Sequence, residues 1–129
     1  MKIMSKEALR YLNNAKEMLA KSPIENNLYI DEKYVKCACG VAYLAVLKAI
    51  DESLLKKGLS RKELPEKAEE YQKALQKYAS AHNGSLIREF GALYDELHIA
   101  GYYRGNLKHA DTVKSVLKAA KAFIEKIGH

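Results

Sequence analysis

Residues 34–50 read YVKCACGVAYLAVLKAI, a stretch that is apolar almost all round when wound as a helix. A helix of that kind is kept in a water-soluble protein only when neighbouring elements cover it on most sides. Ala38, Gly40, Ala42 and Ala45 supply small surfaces where those neighbours can come close. Asp31 is suited to cap the start, and Gly58 to close the end as the residue just beyond the last turn. The spacing therefore predicts a helix from about 32 to 57, roughly 39 Å long, with Asp51, Glu52, Lys56 and Lys57 projecting toward water. It is the expected centre of the fold.

The flanking segments carry narrower apolar stripes. A first helix from about 5 to 21 opens on Ser5 as N-cap, lines up Ala8, Leu12, Ala15 and Leu19, and stops at Ser22-Pro23. Asn26-Asn27 then forms a polar connection to the central helix. After it, Ser60-Arg-Lys-Glu63 matches a capping box and Pro65 suits an early turn, so a third helix begins near 61 or 65 and ends at His82-Asn83-Gly84. Its stripe of Ala68, Tyr71, Leu75, Tyr78 and His82 marks a peripheral position. A fourth helix starts at Ser85, repeats Leu86, Phe90, Leu93, Leu97 and Ala100, meets a neighbour at Gly91, and ends at Gly101. The fifth runs from an Asp111 cap through Val113, Val116, Leu117, Ala120, Phe123, Ile124 and Ile127 to Gly128. The expectation is an all-α, five-helix up-and-down bundle with a long central helix 2, one domain over residues 1–129, without internal repeats.

Composition agrees. Thr occurs once, at Thr112, and Pro only at Pro23 and Pro65, a balance favouring helix over strand. Lys and Glu in the first turns and the lack of an apolar core there argue against a signal peptide, and no window of 18 uncharged apolar residues could span a membrane, so a cytoplasmic protein is expected. Cys37 and Cys39 stand two apart on a helix, pointing about 200° from each other, so they cannot share a metal or bridge. Both read as buried, inert thiols.

Motif chemistry is mostly excluded. HExxH and GxxxxGK[ST] are absent, and the glycines lack GxGxxG spacing. Asp95 and His98, at i and i+3, resemble half of a carboxylate-bridged two-metal site whose other half has no candidate, so a surface pair or local hydrogen bond is the expectation. His82 reads as a helix-end residue facing the dipole and His129 as a chain end. Neither a metal nor a cofactor is expected.

One segment holds chemical potential: Gly101-Tyr-Tyr-Arg-Gly-Asn-Leu-Lys-His109, a loop ahead of the last helix. The chain carries a formal charge of +6, and residues 104–129 alone hold a cationic surplus of four. A basic face attracts nucleic acid or phosphorylated ligands, although lysines opposite an apolar stripe are equally the mark of a solvated helix face. Arg104 offers a fork of donors to phosphate, and His109 a group that exchanges a proton near neutral pH. Together they suit metal-free RNA cleavage, His109 deprotonating a ribose 2′-OH and Arg104 stabilising the charged phosphorane. Tyr102, Tyr103, Asn106 and Lys108 would hold bases and backbone. In a continuous helix, residues five apart diverge by about 140°, so a loop conformation is required, for which Gly101 and Gly105 provide the breaks.

The long central helix, its pattern CACGVAYLAVLKAIDESLLKKG, and Arg-x4-His before the final helix together resemble the HEPN superfamily of bacterial and archaeal helical bundles. The resemblance spans most of the chain, which is also similar to short bacterial proteins of this shape. It implies a site at Arg104 and His109, and a place among metal-independent ribonucleases, toxin components and nucleotide-binding partners of nucleotidyltransferases. In that family a polar residue follows the Arg directly; here Gly105 stands there, with Asn106 one place later. RNA or nucleotide binding, in a homodimer, is the expected function, with cleavage within the chemistry of the pair but not the expected outcome. The alternative is a non-catalytic bundle that dimerises or docks a protein partner, in which Tyr102 and Tyr103 form an apolar hinge while Arg104 and His109 satisfy helix-end carbonyls.

Overall fold

The computed structural model describes residues 5–78 and 84–128. Among them the chain forms α1 (Lys6–Leu19), a hairpin of β1 (Ile24–Glu25) and β2 (Leu28–Tyr29), α2 (Glu32–Lys56), α3 (Ala68–Tyr78), α4 (Ser85–Leu93) and α5 (Ala110–Ile127). A π-helical segment, Tyr94–Tyr103, continues α4 without a break. The architecture is an all-α bundle around α2, which packs against α1, the π-helical segment, α5 and α3. No helix of the described residues is long and apolar enough to cross a membrane.

The apolar stripes do what their spacing requires. Ala8, Leu12, Ala15 and Leu19 of α1 are buried, as are Val113, Val116, Leu117, Ala120, Phe123, Ile124 and Ile127 of α5. Leu86, Phe90, Leu93 and Leu97 join them, and Tyr71 and Leu75 are the buried positions of α3. Ser5 Oγ accepts from the Ala8 N–H at 2.9 Å, and Asp31 Oδ1 from the Lys33 N–H at 3.3 Å. Each such cap is worth about 1 kcal/mol of helix stability. Gly58, at φ +104°, ends α2 in the left-handed region where glycine carries no Cβ penalty.

Several boundaries depart from the sequence reading. The capping box at Ser60 and Glu63 is formed, Ser60 N–H to Glu63 Oε1 at 2.8 Å, but it opens a short 3-10 turn over Arg61–Glu63, and α3 begins only at Ala68. Pro65, lacking an N–H, falls between the two. The fourth helix does not stop at Gly101; it runs on to Tyr103. The N-cap of α5 is His109, not Asp111, which lies in the first turn where its charge complements the helix dipole. The end of helix 3 at His82 and Asn83, like His129, lies outside the described residues.

The connection between α1 and α2 is a β-hairpin rather than an irregular link. Asn26 and Asn27 both have positive φ, +50° and +63°, as a two-residue turn between antiparallel strands demands. Ser22, only 5% exposed, ties its ends: Oγ accepts from the Asp31 N–H at 3.1 Å and donates to the Pro23 carbonyl at 3.3 Å.

Candidate functional site

The chain passes from the π-helical segment to α5 in six residues, Arg104 to His109, and the backbone is tied at both ends. The Arg104 N–H donates to the Ile99 carbonyl and the Asn106 N–H to the Ala100 carbonyl, both at 2.8 Å. Gly105, at φ +65°, supplies the left-handed residue that makes this closure. Downstream, the Tyr29 N–H donates to the Lys108 carbonyl at 2.9 Å, the Ala110 N–H donates to the Asn27 carbonyl at 2.8 Å, and His109 forms an antiparallel bridge with Leu28. The segment thus lies along the hairpin as a third, very short strand. The sequence signal for that hairpin, Ile-Glu-Asn-Asn-Leu-Tyr over residues 24–29, is short but present.

Tyr102 and Tyr103 are in the last turn of the π-helical segment, 49% and 73% exposed. Arg104 is the C-cap of that segment and His109 the N-cap of α5, both exposed. His109 makes no side-chain capping hydrogen bond. Asn106 and Lys108 are exposed between them. Arg104 and His109 therefore stand at opposite ends of the segment. Gly105, Leu107 and Lys108 also border a small cavity of about 120 Å³ floored by Tyr29 and Val35, beside Lys36 and Glu32 of α2, which pair at 3.6 Å.

Gly101 has a different use from the one its sequence position suggests. A Cβ built on it would lie 2.5 Å from Cys39 Sγ and 2.6 Å from Cys39 Cβ, so the glycine lets the π-helical segment touch α2. A Cβ on Gly40 would meet the Tyr102 ring at 2.9 Å. The two glycines set the approach that carries Tyr102 to the surface. Gly91 likewise faces Gln72 of α3 in ordinary contact.

His98 belongs to an aromatic column that motif reading missed. Its ring lies 4.9 Å from Tyr43, 5.3 Å from Tyr94 and 6.0 Å from Tyr102, the last with planes only 14° apart. Stacked and tilted aromatic pairs at these distances contribute beyond simple burial, by about 0.5–1.5 kcal/mol each. Burial and the neighbouring Tyr94 push the Tyr43 hydroxyl up to about 12. Among the described residues no hydrogen bond or ion pair joins Asp95 to His98, so the expected surface pair gives way to a histidine held by rings. No group of three or more metal-ligating side chains occurs among the described residues.

The thiols differ from expectation in one respect. Cys39 is buried, and burial pushes its thiol up to about 12, but Cys37 is exposed. The uniformly apolar α2 leaves one face uncovered, and Cys37 is on it.

A family model described as a domain of unknown function, DUF5618, matches residues 3–129. A solved protein of unknown function from Dyadobacter fermentans is 33% identical, with 95% of this chain and 91% of that one covered and a TM-score of 0.78. A protein from Sulfolobus solfataricus, at 19% identity, shares the fold with a TM-score of 0.72 over 97% of this chain and 96% of that one. No curated protein matches, and none of these matches names the HEPN superfamily. A family match over nearly the whole chain places this protein in the DUF5618 family.

Proposed function

We propose that the segment 101–109 binds single-stranded RNA or a nucleotide. One observation carries the reading: Tyr102, Tyr103, Arg104, Asn106, Lys108 and His109 are all exposed on one continuous stretch whose backbone is hydrogen-bonded at both ends. Exposed aromatic rings beside cations are what base stacking and phosphate contact require, and a pinned backbone lowers the ordering cost of binding. His98 backs the Tyr102 ring and so fixes its plane. The HEPN resemblance of the Arg-x4-His pattern supports the same reading. Binding rather than cleavage is proposed, because cleavage requires Arg104 and His109 to meet at one phosphate from opposite ends of the segment.

The test is fluorescence anisotropy of a labelled single-stranded RNA oligomer at low and moderate salt, alongside a cleavage assay in EDTA. Binding should weaken with salt, Arg104→Ala and Lys108→Ala should each reduce the salt slope by about one, and Tyr103→Ala should weaken binding by about 1–3 kcal/mol. Equal binding by wild type and all three variants would sink the reading. Cleavage lost in both Arg104→Ala and His109→Ala would extend it to a metal-independent nuclease.

A second reading, a homodimerising module, is favoured by Leu44, which is 47% exposed on the central helix. Cys37, Val41 and Leu44 share the uncovered face of α2, and Tyr102 lies against Gly40 at its edge. Two-fold pairing of this face would cover the apolar stripe and bring two copies of the segment to the rim of one interface. Sedimentation of wild type against Leu44→Glu distinguishes a dimer that the charge dissociates from a chain that is monomeric throughout.

A further inference from the structure

α1, the hairpin and α5 border an open apolar groove of about 630 Å³. That volume falls within the range of roughly 300–1,000 Å³ usual for small-molecule sites. Its floor is made by the buried side chains of Leu19, Tyr29 and Leu117, and Ile24, 47% exposed, stands at its hairpin wall. Four lysines line it: Lys16 from α1, and Lys114, Lys118 and Lys121 from α5. Among the described residues, no acidic side chain lines it. Among the described residues, none of the four lysines forms an ion pair.

That arrangement is unfavourable for an empty surface. Lys114 and Lys118 are a like-charge pair at i, i+4, which weakens a helix, and Lys121 extends the same stripe. Long lysine side chains lie their apolar stems along a groove wall and hold the ammonium groups at its edge. The groove therefore combines an apolar bed with a cationic rim on opposite sides, complementary to a molecule having one apolar chain and one anionic end.

We propose that the groove between α1, the hairpin and α5 binds a free single-chain anionic amphiphile of the fatty-carboxylate class, its chain along Leu19 and Leu117 and its carboxylate among the four lysines. None of residues 101–109 lines this site, although Tyr29 of its floor donates its N–H to the Lys108 carbonyl, and the proposal does not depend on the reading given to that segment.

The experiment is isothermal titration of the full chain with dodecanoate below its micelle concentration. Saturable one-to-one binding is expected, with each methylene removed on going to shorter carboxylates weakening it by up to about fourfold. Lys118→Glu/Lys121→Glu, a change at exposed positions, should weaken binding at least about tenfold, whereas the equal charge change Lys56→Glu/Lys57→Glu at the far end of α2 should leave it unaltered. Dodecyltrimethylammonium, with the same chain and opposite charge, should fail to bind. Unfolding midpoints of both double variants confirm that each is folded. Absence of saturable binding, equal binding of the cationic amphiphile, or equal loss in both double variants overturns the proposal. So does binding to phosphatidylglycerol vesicles without binding of monomeric dodecanoate, which would make this a membrane-facing surface. Tenfold tighter binding of a designed acidic amphipathic peptide at the same lysines would likewise overturn it, assigning the groove to a protein partner.

Discussion

At the scale of single residues, burial separates groups that look alike in the sequence. Cys37 and Cys39 differ only in which side of α2 they occupy, yet one is exposed while the other is buried with its thiol pushed up to about 12. Iodoacetamide at pH 8 should therefore alkylate Cys37 alone in the folded protein, and mass spectrometry should find both modified only after denaturation. Asp51 and Tyr71 make a similar point. The Tyr71 hydroxyl donates to Asp51 Oδ1 at 2.8 Å, tying α3 to α2. Burial nevertheless holds the Asp51 carboxyl above its ordinary value of 3.8, outweighing the lowering by Tyr71 and Lys48. Because the folded value is the higher one, folding favours the protonated acid, and that contribution is lost as pH rises through the folded value. Asp51→Asn, which keeps an oxygen acceptor for Tyr71, should gain on wild type in urea unfolding as pH goes from about 3 to 7. Tyr71→Phe, which leaves the carboxylate without its donor, should lose about 1.5–3 kcal/mol at pH 7.

At the scale of elements, ends proved harder to read than faces. The stripes of α1 and α5 follow from periodicity, since only one face of each helix is apolar. The fourth helix is expected from the sequence to end at Gly101, but the chain leaves the helix only at Gly105. Gly105 carries the positive φ of +65°, whereas Gly101 stays within the helix. Gly105→Ala should cost about 1–2 kcal/mol, the penalty for a side chain in the left-handed region. Hydrogen exchange should show the Arg104 and Asn106 amides losing protection before the rest of the domain. The hairpin escaped periodicity because its strands are two residues long. Its Asn-Asn turn was the legible signal, and its pairing with Lys108 and His109 was not, since those residues lie about 80 positions further along the chain.

At the scale of the whole molecule, the crossing of α2 with the π-helical segment positions the candidate site. Gly101→Ala inserts a Cβ where Cys39 already stands, and overpacking of that kind costs about 1–3 kcal/mol, more than the ~1 kcal/mol that alanine gains over glycine in a helix. Equilibrium urea unfolding should show a lowered midpoint, and Tyr102, one residue on, should shift relative to its contact with Gly40. Local sequence was enough to specify the helical class, the central place of α2, the caps at Ser5 and Asp31, and the core stripes of α1 and α5, because each of these depends on residues within a few positions of one another. Packing between distant segments settles which face of the apolar α2 stays open, that Gly101 serves contact rather than termination, that His98 joins an aromatic column, and that lysines from α1 and α5 line one groove. Those outcomes depend on which surfaces meet across long stretches of chain, and local periodicity carries no record of the meeting.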